Sequence, residues 1–408
     1  METTQTRPLW RKNLFVLWFG VFMTGMGMSE ITPFLSLFIG ELGHYSKQQL
    51  TFYTGIVFAS CFLVMAIVSP VWGRLADKKG RRLMLLRASF GMAVVFLLMG
   101  FVTNVWELLL LRALQGAFGG YVSNANALIA SQAPKKNSGQ ALSILVTGLT
   151  AGTLLGPLLG GALASVFSYR MTFNITGIIM MLVFILTYFC VKEDFTAKPA
   201  TDKKHPKVTF KQIISVRLIL VLFSTTMFVQ IVNMSINPIL SLFVKELLTS
   251  SHQSVTFMAG IVASMPGLST IIAAPLFGRL GDRIGTQKML VFGFIFAMLV
   301  FFATSFVTNV YQLIGMRILT GISDAAMLPS VQTLLTKNTT TENTSIVFSY
   351  NQSFQSVGSV LGPMIGSFVA GIFDYRGIFV VSSLIMVFNL LVFKLTHASE
   401  AAQKTILK

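Results

Sequence analysis

Charge is scarce in this chain, and negative charge most of all. Only 14 Asp and Glu stand against 31 Lys and Arg, and the four types together make up 11% of 408 residues. An ordinary soluble domain carries about 25%. Cysteine is nearly absent: Cys61 and Cys190 both lie inside apolar runs, and such a pair suggests neither a disulfide framework nor a thiolate metal site. The four histidines, His44, His205, His252 and His397, are scattered near segment ends and form no ligand spacing such as HExxH. No Gly-x-x-x-x-Gly-Lys-Ser/Thr phosphate loop occurs, which argues against an ATP-driven machine. With no nucleophile, metal or cofactor constellation, an enzyme is not expected, and no cofactor or metal is implied. What fills the chain is apolar: 54% hydrophobic residues, 36 Phe and 21 Met, with a mean hydropathy of +0.74. A soluble protein of this size cannot hide that much apolar surface. The period-2 alternation of an outer-membrane barrel is missing, so the composition points to an all-α, polytopic membrane protein.

Apolar runs long enough for a hydrocarbon core of about 30 Å fall at 14–39, 52–73, 83–103, 106–129, 139–165 and 171–191. Six more follow at 216–244, 255–277, 288–308, 311–335, 345–371 and 377–396. A polar stretch at 192–215, with Lys198-Pro199 and Lys203-Lys204-His205-Pro206, reads as a cytoplasmic linker between residues 1–191 and 216–408. The net charge of +17 raises the possibility of nucleic-acid binding, but its placement argues against that. Lys47, Arg170, Lys245 and Arg376 fall on one side, Arg112 and Arg317 inside spans, and the remaining cations on the other side. This positive-inside bias places both termini in the cytoplasm. The first apolar run is too long for a removable signal peptide and reads as a signal-anchor.

The chain repeats itself. Pro33-Phe34-Leu35-Ser36-Leu37-Phe38 recurs as Pro238-Ile239-Leu240-Ser241-Leu242-Phe243, and Pro70-x-x-Gly73-Arg74-Leu75-x-Asp77 as Pro275-x-x-Gly278-Arg279-Leu280-x-Asp282, both at an offset of 205. Arg112 recurs as Arg317 at the same offset, and Gly156-Pro157 as Gly362-Pro363 at 206. One offset along the whole chain implies two six-helix bundles of like topology, related by an axis along the membrane normal.

Two acids lie deep in the expected spans: Glu30 in the first and Asp324 in the tenth. A charge at the bilayer centre costs at least about 2.5–3.5 kcal/mol, so neither is explained by packing. The repeat maps Asp324 onto Gly119 and Glu30 onto Ser235; neither acid has an acidic counterpart, so neither is needed to build the scaffold. A carboxyl in such a place holds a proton or a cationic compound, but not comfortably both. The alternatives are an internal pair of Asp324 with Arg317, and a Glu30 side chain that snorkels outward.

Several motifs carry a family resemblance over essentially the whole chain. The loop Gly73-Arg74-Leu75-Ala76-Asp77-Lys78-Lys79-Gly80-Arg81-Arg82 resembles the signature between helices 2 and 3 of the major facilitator superfamily. Gly152-x-x-x-Gly156-Pro157-x-x-Gly160-Gly161 resembles the helix-5 signature of its twelve-helix drug:proton antiporters, and Arg112-x-x-Gln115-Gly116 their helix-4 motif. Asn124-Ala-Asn126-Ala-Leu-Ile-Ala130 and Phe348-Ser-Tyr-Asn-Gln-Ser353 are similar to bacterial multidrug exporters of that group. The resemblance implies the major facilitator fold, twelve transmembrane helices in two pseudo-symmetric bundles, in the bacterial plasma membrane. It implies a proton-driven multidrug antiporter that exports amphipathic aromatic, cationic or zwitterionic compounds, such as fluoroquinolones and dyes, by alternating access. A proton-linked exporter of one endogenous metabolite or lipid is the alternative. Partners would be small amphipathic drugs, protons and lipid; no nucleic acid is implied, and a monomer is expected.

The resemblance also implies residue roles. Glu30 and Asp324 would bind substrate or proton, with Arg112 and Arg317 biasing their protonation. Gly73, Asp77, Gly80 and Arg81 would form a cytoplasmic gate, with Asp77 facing the start of helix 11. Gly152, Gly156, Pro157, Gly160 and Gly161 would make a bent, tightly packed seam between the halves, repeated by Gly358, Gly362, Pro363 and Gly366. Helices 1, 4, 7 and 10 would line a central cavity. Its wall would include Met26, Phe34, Gln115, Asn126, Gln230, Asn233, Tyr350, Asn351 and Gln355, soft and mixed enough to take many shapes.

Overall fold

The computed structural model describes residues 9–193, 217–248, 253–339 and 344–406, so most of the expected linker lies outside the described residues. All described regular structure is helical: α1 (Leu9–Ser29), α2 (Leu35–Glu41), α3 (Lys47–Lys79), α4 (Arg81–Met99), α5 (Val105–Phe118), α6 (Tyr121–Gln132), α7 (Lys135–Val166) and α8 (Tyr169–Cys190), then α9 (Arg217–Leu247), α10 (Val255–Ile284), α11 (Thr286–Thr304), α12 (Val310–Lys337) and α13 (Thr344–Ile406). Among the described residues, nine helices are long and apolar enough to cross a membrane. Helix α13 is one of them but supplies two crossings, because the backbone breaks at Asp374 (φ 66°). The remaining two of the twelve crossings are each made of two pieces. The first apolar run is α1 plus α2, interrupted by turns at 30–34 around Pro33; the fourth is α5 plus α6, interrupted at Gly119–Gly120.

The chain packs as two compact units, Met1–His44 with Ser60–Thr201, and Tyr45–Ala59 with Asp202–Lys408. In the first, Leu17 and Val21 of α1 meet Leu85 and Ala88 of α4 and Tyr121, Ala125 and Leu128 of α6 in one core. Gly20 lets Tyr121 in, since a Cβ there would lie 2.2 Å from the phenol oxygen, and that oxygen hydrogen-bonds to Thr187 at 2.9 Å. In the second unit, α9 runs along α13 and α10 along α12. Large apolar side chains such as Phe15, Phe101, Phe189 and Leu395 remain exposed, as helices that face lipid require.

The break in the fourth crossing has a chemical cap. Gly120 takes φ 106°, a conformation that glycine adopts without strain. The carbonyls freed at the end of α5 need donors. Arg87 supplies one to Gly119 at 2.6 Å, the Trp72 indole N–H supplies one to Ala117 at 2.9 Å, and the Arg87 guanidinium lies 3.9 Å from the Trp72 ring. Arg87 falls within the expected run 83–103 and lies inside α4, where those carbonyls face it. Arg87→Met strips one donor and the cation–π contact, and should destabilise the first unit by about 1–3 kcal/mol. A thermal unfolding series against a Lys78→Met control checks this.

The start of α3 is tied within the second unit. Lys47 pairs with Asp374 at 2.5 Å and lies 4.2 Å from the centre of the Tyr375 ring. A Cβ on Gly55 would lie 2.9 Å from the Pro363 carbonyl oxygen, so the two backbones approach closely there. Burial pushes the Asp374 carboxyl up, but the hydrogen bonds from Lys47 and the Tyr375 N–H, with the charges of Lys47 and Arg376, outweigh it and hold it below its usual range. A carboxylate lowered on folding contributes stability above the ordinary aspartate range and loses it as the pH falls through the lowered value. Lys47→Met should therefore flatten the acid limb of a melting-temperature profile measured against pH.

Candidate functional site

Glycines at four-residue spacing build the ground on which Glu30 stands. Along α7, a Cβ on Gly148, Gly152, Gly156 or Gly160 would strike, in turn, the backbone or side chain of Trp18, Phe22, Met26 with Ser29, and Glu30. The contact at Gly160 is 2.2 Å from the Glu30 carbonyl oxygen. Two ladders of period four thus interlock at close range. The second copy repeats this: Gly358, Gly362 and Gly366 of α13 meet Met227, Ile231 with Met234, and Ser235 of α9. The glycine faces were expected between the halves. They lie instead inside each bundle, because they are what allows the fifth and eleventh helices to touch the first and seventh.

Glu30 follows α1 at the start of the 30–34 turns and has no exposed surface. Thr176 of α8 donates its hydroxyl to Oε1 at 2.5 Å, and Oε2 has no partner among the described residues. The side chain is therefore enclosed by its own bundle, neither opening onto a vestibule, as expected, nor snorkelling outward. Three residues expected on a cavity wall are closed off with it. Met26 is 4% exposed, while Phe34 and Gln115 are wholly buried. Phe34 stacks on Tyr169 at 5.6 Å and meets Phe173 edge-on. Gln115 accepts from Arg112 at 2.5 Å and donates to the Met28 sulfur.

Asp324 sits in the second unit, in the middle of an unbroken α12, at the position where the first copy has Gly119 and its break. Asn233 of α9 donates to its Oδ2 at 3.2 Å. Arg317, one heptad earlier, lies beyond ion-pair distance, so the internal pair does not form; its Nε and Nη1 find no partner among the described residues. The other polar residues expected on a cavity wall are half-buried rather than sealed, with Asn351 the exception. Gln230 donates to Ser359 at 2.9 Å, and Gln355 reaches the Gln230 oxygen at 3.5 Å. Asn126 and Tyr350 are also half-buried, and Asn351 is buried.

The loop between α3 and α4 turns at Gly80 (φ 93°). Asp77 pairs with Arg81 four residues on, a partner from its own motif. The expected partner, the start of helix 11, adjoins residues 340–343, outside the described residues. Gly73 is helical, and a Cβ there would meet nothing within 4 Å. Glu193, which sequence reasoning passed over, accepts from the Arg81 and Arg82 backbone N–H groups at 3.0 and 2.6 Å and caps the first turn of α4. Asn13 pins the same exit by exchanging hydrogen bonds with the Lys192 backbone at 2.7 and 3.1 Å. No sequence signal marked either residue, since each partner lies more than a hundred positions away.

Comparison with known proteins adds to this geometry. A family model described as Major Facilitator Superfamily matches residues 17–247 and 222–407. Multidrug resistance protein MdtG of Proteus mirabilis (strain HI4320) is 44% identical over 382 residues, covering 94% of this chain and 95% of that protein. MdtG of Serratia proteamaculans (strain 568) is 46% identical over 380 residues, covering 93% and 92%. Among solved structures, a bacterial homolog of the human lysosomal transporter Spinster superposes with a TM-score of 0.81 at 16% identity, covering 96% of this chain and 98% of that one. The nucleoside transporter NupG gives 0.73 at 14%, covering 95% and 99%; at such identities the likeness shows the fold alone. Twelve crossings, a duplicated helix-5 glycine ladder and these relatives agree: the chain is a multi-pass membrane transporter, not an enzyme, and belongs to the major facilitator superfamily.

Proposed function

We propose that this protein exports amphipathic aromatic compounds, cationic or zwitterionic, in exchange for protons. The observation that carries the reading is Asp324. It is an acid placed in an apolar bundle where the repeat needs none, held by the Asn233 amide and not neutralised by a salt bridge to Arg317. Such a group is costly to keep unless ionisation is used. Its two occupants, a proton and the cationic end of a cargo, exclude one another, and that competition is a sufficient exchange rule. Glu30, sealed against Thr176 and the Gly160 backbone, serves as a proton site apart from the cargo. Arg112 and Arg317 bias the two carboxyls electrostatically from a distance. The half-buried amides of Asn126, Gln230, Asn233 and Gln355, with Tyr350 and Asn351, contribute adaptable polar contacts. Asp77, Arg81 and Gly80, with Gly73, act at the cytoplasmic gate, and both termini lie on the cytoplasmic side of the inner membrane, the protein working as a monomer. The MdtG relatives, named as multidrug resistance proteins, support the cargo class.

The test is purified protein in proteoliposomes loaded with a cationic fluorescent dye. An imposed pH gradient should drive the dye against its own gradient, and collapsing the gradient with a protonophore should stop it. Transport that ignores the pH gradient sinks the exchange reading.

A further inference from the structure

One buried hydroxyl of the first bundle has two acceptors and a single hydrogen. Thr176 of α8 is wholly enclosed. Its Oγ1 lies 2.5 Å from Glu30 Oε1 and 3.1 Å from the Thr172 carbonyl oxygen. A hydroxyl donates once but also accepts, so its hydrogen serves only one of these oxygens at a time. The site around it is tight. Thr172, also without exposed surface, donates its own hydroxyl to the Ser168 carbonyl at 2.9 Å. The Thr176 methyl rests against α1, where a Cβ on Gly27 would lie 3.4 Å from it. The second copy is built differently. At an offset of 206 it has Ile378 for Thr172 and Ser382 for Thr176. Ser235, in the place of Glu30, turns its hydroxyl to its own helix at the Val232 carbonyl, 2.8 Å away. The pairing of an acid with a two-way hydroxyl thus belongs to the first bundle.

We propose that Thr176 is a positioning residue for Glu30: its hydroxyl turns with the charge of the carboxyl, so that Glu30 stays enclosed both with and without its proton. The inference rests on the reading of Glu30 as a proton site and says what makes that site workable. With Glu30 ionised, the Thr176 hydrogen points to Oε1 in a charge-assisted bond, and the Thr172 carbonyl keeps only its helical N–H. With Glu30 protonated on Oε1, the carboxyl O–H donates to Thr176 Oγ1, and the threonine hydrogen swings to the Thr172 carbonyl. No proton passes between the two side chains. The threonine keeps its own hydrogen, and only the torsion about its Cβ–Oγ1 bond changes. A backbone N–H in that place would donate to the carboxylate but could not accept from the acid. Since Oε2 finds no partner among the described residues, Thr176 supplies the one bond that supports Glu30 in either form.

Dye efflux from proteoliposomes and infrared spectra of the same purified protein test this. Thr176→Val keeps the shape of the side chain and removes the hydroxyl. Its gradient-driven efflux should fall about tenfold, the worth of one hydrogen bond to a charged group. Thr176→Ser keeps the hydroxyl and should recover most of the rate, which guards against a folding defect in the valine variant. In a Glu30→Gln background, Thr176→Val should lower efflux no further, because the two residues act as one unit. The C=O stretching band of protonated Glu30, identified by its loss in Glu30→Gln, should move to higher wavenumber in Thr176→Val and stay in place in Thr176→Ser. A threonine that only fills space would move neither. Full efflux by Thr176→Val overturns the proposal, as does an unmoved band, a serine variant no better than valine, or an additive loss in the double variant. Failure of the proton-site reading would show separately, as Glu30→Gln protein that keeps the wild-type rate of gradient-driven efflux.

Discussion

Asp324→Asn should abolish uphill efflux and leave downhill exchange running. The substitution keeps the size of the side chain and an oxygen that accepts from Asn233, but the amide never takes or gives a proton. Each pH unit across the membrane is worth about 1.4 kcal/mol per proton exchanged, or about a tenfold cargo ratio. The variant should hold no ratio at all, whatever the gradient. Counterflow of labelled against unlabelled dye, which needs only the moving protein, should continue. Loss of both activities would mean that Asp324 is structural, and retention of full uphill transport would remove it from the mechanism. Glu30→Gln separates the roles of the two acids: cargo displacement should stay intact, because the enclosed side chain touches no cargo, while gradient-driven efflux falls.

The second large effect is steric. Gly160→Val places a Cβ 2.2 Å from the Glu30 carbonyl oxygen and 2.8 Å from its Cβ. These are backbone and near-backbone atoms that cannot rotate away. Overpacking of cores costs about 1–3 kcal/mol where side chains can adjust, and here they cannot, so the first bundle should fail to assemble and membrane abundance should collapse. Gly366→Val, facing the Ser235 carbonyl oxygen at 2.0 Å, should do the same in the second. Gly73→Ala is the contrast: nothing lies within 4 Å of the new Cβ, and alanine is the better helix former by about 1 kcal/mol, so abundance should hold. Detergent-solubilised yield and size-exclusion profiles read all three.

Crossing number and repeat were legible because hydropathy and a single offset are properties of the sequence alone. The identity of the glycine ladder was legible too, but its direction was not: four-residue spacing marks a face and leaves open which neighbour that face meets. The enclosure of Glu30 depends on Thr176 and Gly160, each more than a hundred residues away, and no local pattern carries such a relation. The break at Gly119–Gly120 did have a signal, since a glycine pair interrupts helices, yet hydropathy ran through it unbroken. Nothing local showed that Arg87, inside the run 83–103, would meet the carbonyls of Ala117, Phe118 and Gly119.

The anchoring of Lys47 to Asp374 bears on how the molecule is made. The two residues are separated by 327 positions. At about 5–20 residues per second of synthesis, the start of α3 emerges roughly 16–65 s before its partner exists. During that interval Gly55 and Thr51 have no α13 to rest on, so the second crossing must wait in the bilayer, half-seated, until the ribosome has nearly finished.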